Sequence, residues 1–243
     1  MTAEARRLTL LAALTLPLRA CRDDAPLSAK QRLSAPAHII LNALKWKRRD
    51  AECVAVLHEA VPKLLQCCQQ LQGAPGLSGG QTEDNEMLRV ELGRTLRQLG
   101  KQGLVMPGLV LAPLLTLPEA LPLGVDSAVA QEEATEASPP SPTPAVSSTP
   151  EAREEIFRTL HSAVEAFGLQ NCWKAKPLLT GKEVMAMLGI QGKLVGKVLE
   201  QISDWQLAHP NASAPQCKEW LQASKDSVLA QAQAKVALEE QAA

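Results

Sequence analysis

Apolar residues recur at spacings of three and four along much of this 243-residue chain, the period of helices with one buried face. The pattern is densest from Leu178 to Trp220. Thr180 stands three residues before Glu183, the spacing of a capping box, and Leu179 with Val184 supply the apolar pair that staples such a start. Gly189 predicts an early left-handed stop. Gly192 then opens a second helix, with Leu194, Val195, Val198, Leu199, Ile202 and Trp205 as its apolar stripe. His209-Pro210 ends it. Ser213 and Gln216 repeat the capping box with Pro215 in the first turn, so a third helix is predicted through Cys217, Trp220 and Leu221.

The same period runs through the rest of the chain. Leu8 to Leu16 is a short apolar run broken by Pro17. Arg6-Arg7 before it and Cys21 after it give the run a secretory-signal reading; Glu4, Arg19 and its shortness favour a plain helix. Ile39, Ile40, Ala43 and Leu44 share one helical face. A further helix is predicted to begin near Asp50 as N-cap, with Val54, Leu57, His58 and Val61 turned inward. Leu88, Leu92, Leu96 and Leu99 predict a helix over Glu83–Gly100, with Arg89, Arg94 and Arg97 off the stripe. Pro107, Pro113, Pro118 and Pro122 cut the apolar run from Leu104 to Val125 into short helical pieces. Thr149-Pro150-Glu151 starts a helix with Ile156, Leu160, Val164 and Phe167 on its face and Gly168 at its end. Ser224 to Ala243 is predicted to continue as helix.

These periods predict an all-α fold, and composition agrees: aromatic residues make up 2% with no Tyr, so strand formers are scarce. The Gly/Pro-rich stretch 72–81 reads as a loop. Asp126 to Pro150 is rich in Ala, Ser, Thr and Pro, lacks basic residues and has no apolar period, so it reads as a flexible linker. The expected organisation is a helical region over 1–125, a linker over 126–150 and a second helical region over 151–243. A net charge of −1 is not that of a bulk polycation coating nucleic acid. Six cysteines without a C-x-x-C pair read as reduced, intracellular thiols. No apolar run reaches 18 residues, so no membrane partner is expected. His38 and His58 lack a third ligand at a metal spacing, so no metal or other cofactor is expected in this chain.

Two basic groups are candidates for contact. Gly192 and Gly196 strip side chains from a helix start, whose free N–H groups and positive dipole end suit phosphate, and Lys193 and Lys197 add charge beside it. The same glycines also fit a plainer role, close helix packing. Lys45, Lys47, Arg48 and Arg49 surround Trp46 and read either as a solvated connector or as a phosphate-contacting corner.

The ordered set Leu179, Gly181, Glu183, Val184, Gly189, Gly192, Gly196, Trp205-Gln206-Leu207, Pro210 and Trp220-Leu221 resembles the tail of class II tRNA nucleotidyltransferases, the CCA-adding enzymes, over about forty residues. Leu11 to Arg19 and the Ile39-Ile40, Leu44-Lys45-Trp46 and Asp50 positions resemble helices of that family's body, of the eukaryotic type. Glu91 to Gly100 is similar to another, although Gln102-Gly103-Leu104 stands where a tryptophan commonly follows. The resemblance implies tRNA as partner, gripped through phosphates by Lys182, Lys193 and Lys197 first and by Lys45, Lys47, Arg48 and Arg49 second.

The family's catalytic head is not matched. Gly79-Gly80 is followed by Gln81, and there is no Asp-x-Asp. Arg48-Arg49-Asp50 copies the letters of a head element but falls between predicted helices, and Glu83-Asp84 is followed by Met87 where the family's base-selecting element has arginine. The full-length family uses divalent metal with CTP and ATP in that head. The resemblance therefore implies a chain inactive by itself, as a fragment, a truncated gene product or a split subunit whose head lies on a separate chain. It also implies an intracellular place, cytoplasmic or organellar. The competing reading is a catalytically inert helical adaptor that binds a protein partner through apolar helix faces.

Overall fold

A computed structural model describes residues 1–21, 34–73, 83–116 and 149–241 of the chain. Most of the expected loop at 72–81, most of the expected linker at 126–150, and Pro118 and Pro122 lie outside the described residues. The described helices are α1 (Ala3–Thr15), α2 (Ala35–His38), α3 (Arg48–Gly73), α4 (Glu83–Gly100), α5 (Val105–Leu111), α6 (Pro150–Ala166), α7 (Gly181–Leu188), α8 (Lys193–Ala208), α9 (Ala214–Ala223) and α10 (Lys225–Gln241). No strand occurs among the described residues, and the fold is all-α as the periods predict. The chain forms two compact units. Unit one holds Met1–Cys68 and Met106–His161; unit two holds Gln69–Val105 and Ser162–Ala243. The units thus interleave along the sequence, because α4 packs with α8 and with the short turn Cys172–Lys174.

In unit one, Thr2 caps α1 by accepting the Ala5 N–H at 3.2 Å. Leu8, Leu11, Ala12 and Leu16 are buried, and a 3₁₀ turn at Leu16–Leu18 carrying Pro17 ends the helix. On α3, Val54, Leu57, His58 and Val61 are all buried, as predicted. His58 uses its burial: Nε2 lies 2.8 Å from the Ala12 carbonyl. Two expectations fail here. Ile39–Ala43 is a π-turn closed by the Leu44 N–H on the Ile39 carbonyl at 2.9 Å, so the wider turn rotates Ala43 and Leu44 to the surface and leaves Ile40 buried. Asp50 is not the N-cap of α3. The helix starts two residues earlier, and the Asp50 carboxylate is taken by Arg7 instead.

In unit two the local punctuation forms as read. Thr180 and Glu183 close the capping box, with the Thr180 N–H donating to Glu183 Oε2 at 2.9 Å. Leu179 and Val184 are buried beside it. Gly189 ends α7 at φ 68°, and Ser213 with Gln216 boxes the start of α9. The core gathers Leu179, Val184, Leu188, Val198, Ile202, Cys217, Leu221, Val228 and Ala232. α10 packs against α8, and Gln201 satisfies its buried amide on the Val228 carbonyl at 3.0 Å. Leu88, Leu92, Leu96 and Leu99 of α4 are buried as predicted. Gly93 lets Leu207 of α8 approach so closely that a Cβ there would sit 2.8 Å from both Leu207 methyls.

Candidate nucleic-acid interface

The α8 start is an open surface. Gly192 adopts φ 68° and ψ −139° as the N-cap, a conformation that side-chain-bearing residues rarely take. A Cβ at Gly192 or Gly196 would meet nothing within 4 Å, so neither glycine is there to admit a neighbouring helix. Of the two roles open to these glycines, close packing is not the one they serve here. Lys182 on α7 and Lys193 on α8 are exposed.

The lysines of α8 are already engaged. Lys193 Nζ lies 3.2 Å from Glu240 Oε1. Lys197 pairs with Glu239, and lies 3.6 Å from Glu200 Oε2. The Glu239 carboxylate holds the Lys197 ammonium above its usual range, and Glu200 adds to the effect. Lys197 is also the less accessible, with 16% of its side chain exposed against 72% for Lys193. A phosphate arriving here must compete with two carboxylates of α10. Sequence reading missed this pairing; its signal was the adjacent acids Glu239-Glu240 closing an otherwise Ala/Gln-rich helix.

The Trp205-Gln206-Leu207 run has a structural use at each position. Trp205 stacks on Trp220 with ring centroids 5.3 Å apart, and on His209 at 4.6 Å. Gln206 accepts from the Leu178 N–H at 3.2 Å and donates to the Lys176 carbonyl at 3.3 Å, clamping the connector to α8. Leu207 seats over Gly93. This motif builds the unit that carries the α8 surface.

Over 70 residues the chain is 31% identical to tRNA nucleotidyltransferase cca2 of Schizosaccharomyces pombe. Those residues are 28% of this chain and 14% of the relative, so the chain spans a small part of the length of the relative it matches. No protein-family profile matches, and no solved structure matches. The similarity relates this all-α chain to a tRNA-processing family over that segment.

The second basic group belongs to unit one. Lys45 takes the left-handed conformation at φ 55°, which turns the chain between the π-turn and α3. Lys45, Trp46, Lys47, Arg48 and Arg49 are all exposed, and Arg48 pairs with Glu52 at 3.1 Å. Arg7 organises this corner. It grips Asp50 with two bonds, Nη2 to Oδ1 at 2.7 Å and Nη1 to Oδ2 at 3.2 Å, and lies over the Trp46 ring at 4.8 Å. The Arg7 guanidinium holds the buried Asp50 carboxyl below the usual carboxylate range. Lys182, Lys193 and Lys197 are thus grouped in one unit, and Lys45, Lys47, Arg48 and Arg49 in the other.

Among the described residues no group of three or more His, Cys, Asp or Glu could hold a metal ion. His58 is spent on the Ala12 carbonyl, and His38 is exposed. Burial pushes the Cys68 and Cys172 thiols up to about 11 and raises those of Cys53 and Cys217. No described helix is long and apolar enough to cross a membrane.

Proposed function

We propose that this chain is the body and tail portion of a class II, CCA-adding tRNA nucleotidyltransferase, and that it contacts tRNA without catalysing nucleotide addition by itself. The observation that carries this reading is the 70-residue similarity to a tRNA nucleotidyltransferase. The α8 surface supports it, because two uncovered glycines, a helix start and Lys182, Lys193 and Lys197 suit a phosphate backbone. The corner at Lys45, Lys47, Arg48 and Arg49 is the second contact. Recognition proceeds by shape and charge, since few exposed aromatic rings are offered for stacking on bases. The nucleotide-adding head, with its divalent metal, CTP and ATP, acts from another chain or from sequence beyond this one. On this reading the protein works inside the cell, in the cytoplasm or an organelle.

A tRNA titration of the purified chain at two salt concentrations tests the reading, beside the Lys182→Gln/Lys193→Gln/Lys197→Gln variant. Binding is expected to weaken with salt at a log–log slope of roughly 0.7–0.9 per phosphate contacted, and to fall at least about tenfold in the variant. Binding unaffected by the substitutions would remove these lysines from the interface. Absence of tRNA binding at low salt, with helicity intact, would favour the protein-scaffold reading. Incorporation of labelled CMP or AMP into tRNA by the chain on its own would refute its catalytic inertness.

A further inference from the structure

Unit two contains a cleft of about 200 Å³ bounded by α4, the end of α8 and the connectors on either side of them. Arg89 and Arg97 line it, with His209 nearby and Leu178 and Leu207 as apolar wall; no carboxylate is among its lining residues. The two arginines stand four residues to either side of Gly93, so one face of α4 presents both, about 12 Å apart along the axis at their backbones. Gly93 brings α8 close between them.

The charge in this cleft has no ion-pair partner among the described residues. Two nearby acids are committed to Arg94, which pairs with Glu91 at 2.7 Å and with Asp204 at 2.8 Å. Arg89 and Arg97 form no ion pair among the described residues. The Arg89 Nε–H is buried and finds no acceptor among the described residues. Its burial pulls the guanidinium below its usual value, although Glu86 one turn away opposes this. A guanidinium does not discharge to escape such a site, so a buried and unpaired N–H carries a cost that an anion would remove. The carbonyl end of α8 opposes an anion with about half a negative charge, against two full positive charges.

We propose that this cleft binds a phosphate group, held by Arg89 and Arg97, whose organic substituent packs against Leu178 and Leu207. Two guanidinium forks offer the many donors that a tetrahedral phosphate accepts, whereas one planar carboxylate is satisfied by a single fork. The site binds and does not react: Cys172, the thiol in its wall, is kept protonated by burial and donates to the Gly93 carbonyl at 3.8 Å. The phosphate belongs either to a small phosphate ester or to a nucleic-acid phosphodiester. The inference stands independently of the tRNA reading, which uses the lysines of α8.

The test is a titration of the full chain with phenyl phosphate, with a dinucleoside monophosphate, and with phenol as the uncharged control. Binding is read from the melting temperature and from the indole N–H resonance of Trp205, which stacks on His209 at the cleft. Saturable binding of a phosphate probe but not of phenol is expected, and Arg89→Gln/Arg97→Gln should weaken it at least tenfold. The same variant without ligand should melt no lower than the parent, because it removes an unpaired buried charge. Lys193→Gln should bind as the parent does, which separates this site from the α8 surface. Preference for phenyl phosphate would identify a small ester as the ligand, and preference for the dinucleotide a nucleic acid. No saturable binding of either phosphate probe, or equal binding by the arginine variant, would overturn the proposal.

Discussion

Arg94 donates to Asp204 across 2.8 Å, and so ties α4 to α8 over more than a hundred residues of sequence. Both side chains are partly exposed, at 48% and 20%, so solvent screens the pair. A double-mutant cycle with Arg94→Ala and Asp204→Ala is expected to return a coupling of roughly 0.2–1 kcal/mol in denaturant melts. A coupling of zero would mean that Glu91 satisfies Arg94 without Asp204.

Two glycines should respond to alanine with opposite signs. A Cβ at Gly100 would overlap Cβ and Cγ of Trp173, which packs across the end of α4. Those atoms are fixed near the backbone, so Gly100→Ala is expected to cost about 1–3 kcal/mol. Gly196 has open space around it and lies in the first turns of α8, where alanine is the better helix former. Gly196→Ala should stabilise by about 0.5–1 kcal/mol. Urea melts of both variants check the pair; destabilisation at Gly196 would show that its surface is covered.

Acid should weaken the fold in two steps of known sign. Burial lowers the His58 pKa from its ordinary 6.5, so the folded state keeps the ring neutral on the Ala12 carbonyl while the unfolded chain takes up the proton. Stability is therefore lost as pH falls below about 6.5. Glu183 is held at about 2, chiefly by the Thr180 backbone N–H and then by Lys218. Its contribution is complete above its ordinary value of 4.5 and is lost as pH falls from there toward about 2. Melting temperatures across pH 3–8 are expected to show the upper step vanish in His58→Gln and the lower one shrink in Glu183→Gln.

If the α8 lysines meet phosphate, α10 restrains them. Glu239→Gln/Glu240→Gln removes both α10 carboxylates that pair with Lys197 and Lys193 and leaves Glu200 in place. The variant is expected to bind tRNA several-fold more tightly at low salt, with the gain shrinking as salt screens the parent's ion pairs. Unchanged affinity in a filter-binding or fluorescence assay would show that the pairs open freely or that phosphate contacts lie elsewhere.

The sequence by itself determined the all-α class, the starts and stops of α4, α6, α7 and α8, the start of α9, and the buried stripes of α4 and α6. Those signals are local. A capping box spans three residues and a stripe repeats within one helix, so neither needs a distant partner to form. The π-turn at Ile39–Ala43 escaped because one added residue per turn leaves apolar letters unchanged while rotating the face they share. The employment of charged side chains was decided only by tertiary structure. Asp50 had the letters of an N-cap, and Arg7, forty-three residues away, claimed its carboxylate. Lys193 and Lys197 read as free cations until α10 brought Glu240 and Glu239 against them. Arg89 and Arg97 stood only off the buried stripe, and the approach of α8 over Gly93 made them the wall of a cleft with no acid among its lining residues. A charge acts over several ångströms in any direction, so its partner is set by the packing of whole helices and not by its sequence neighbours.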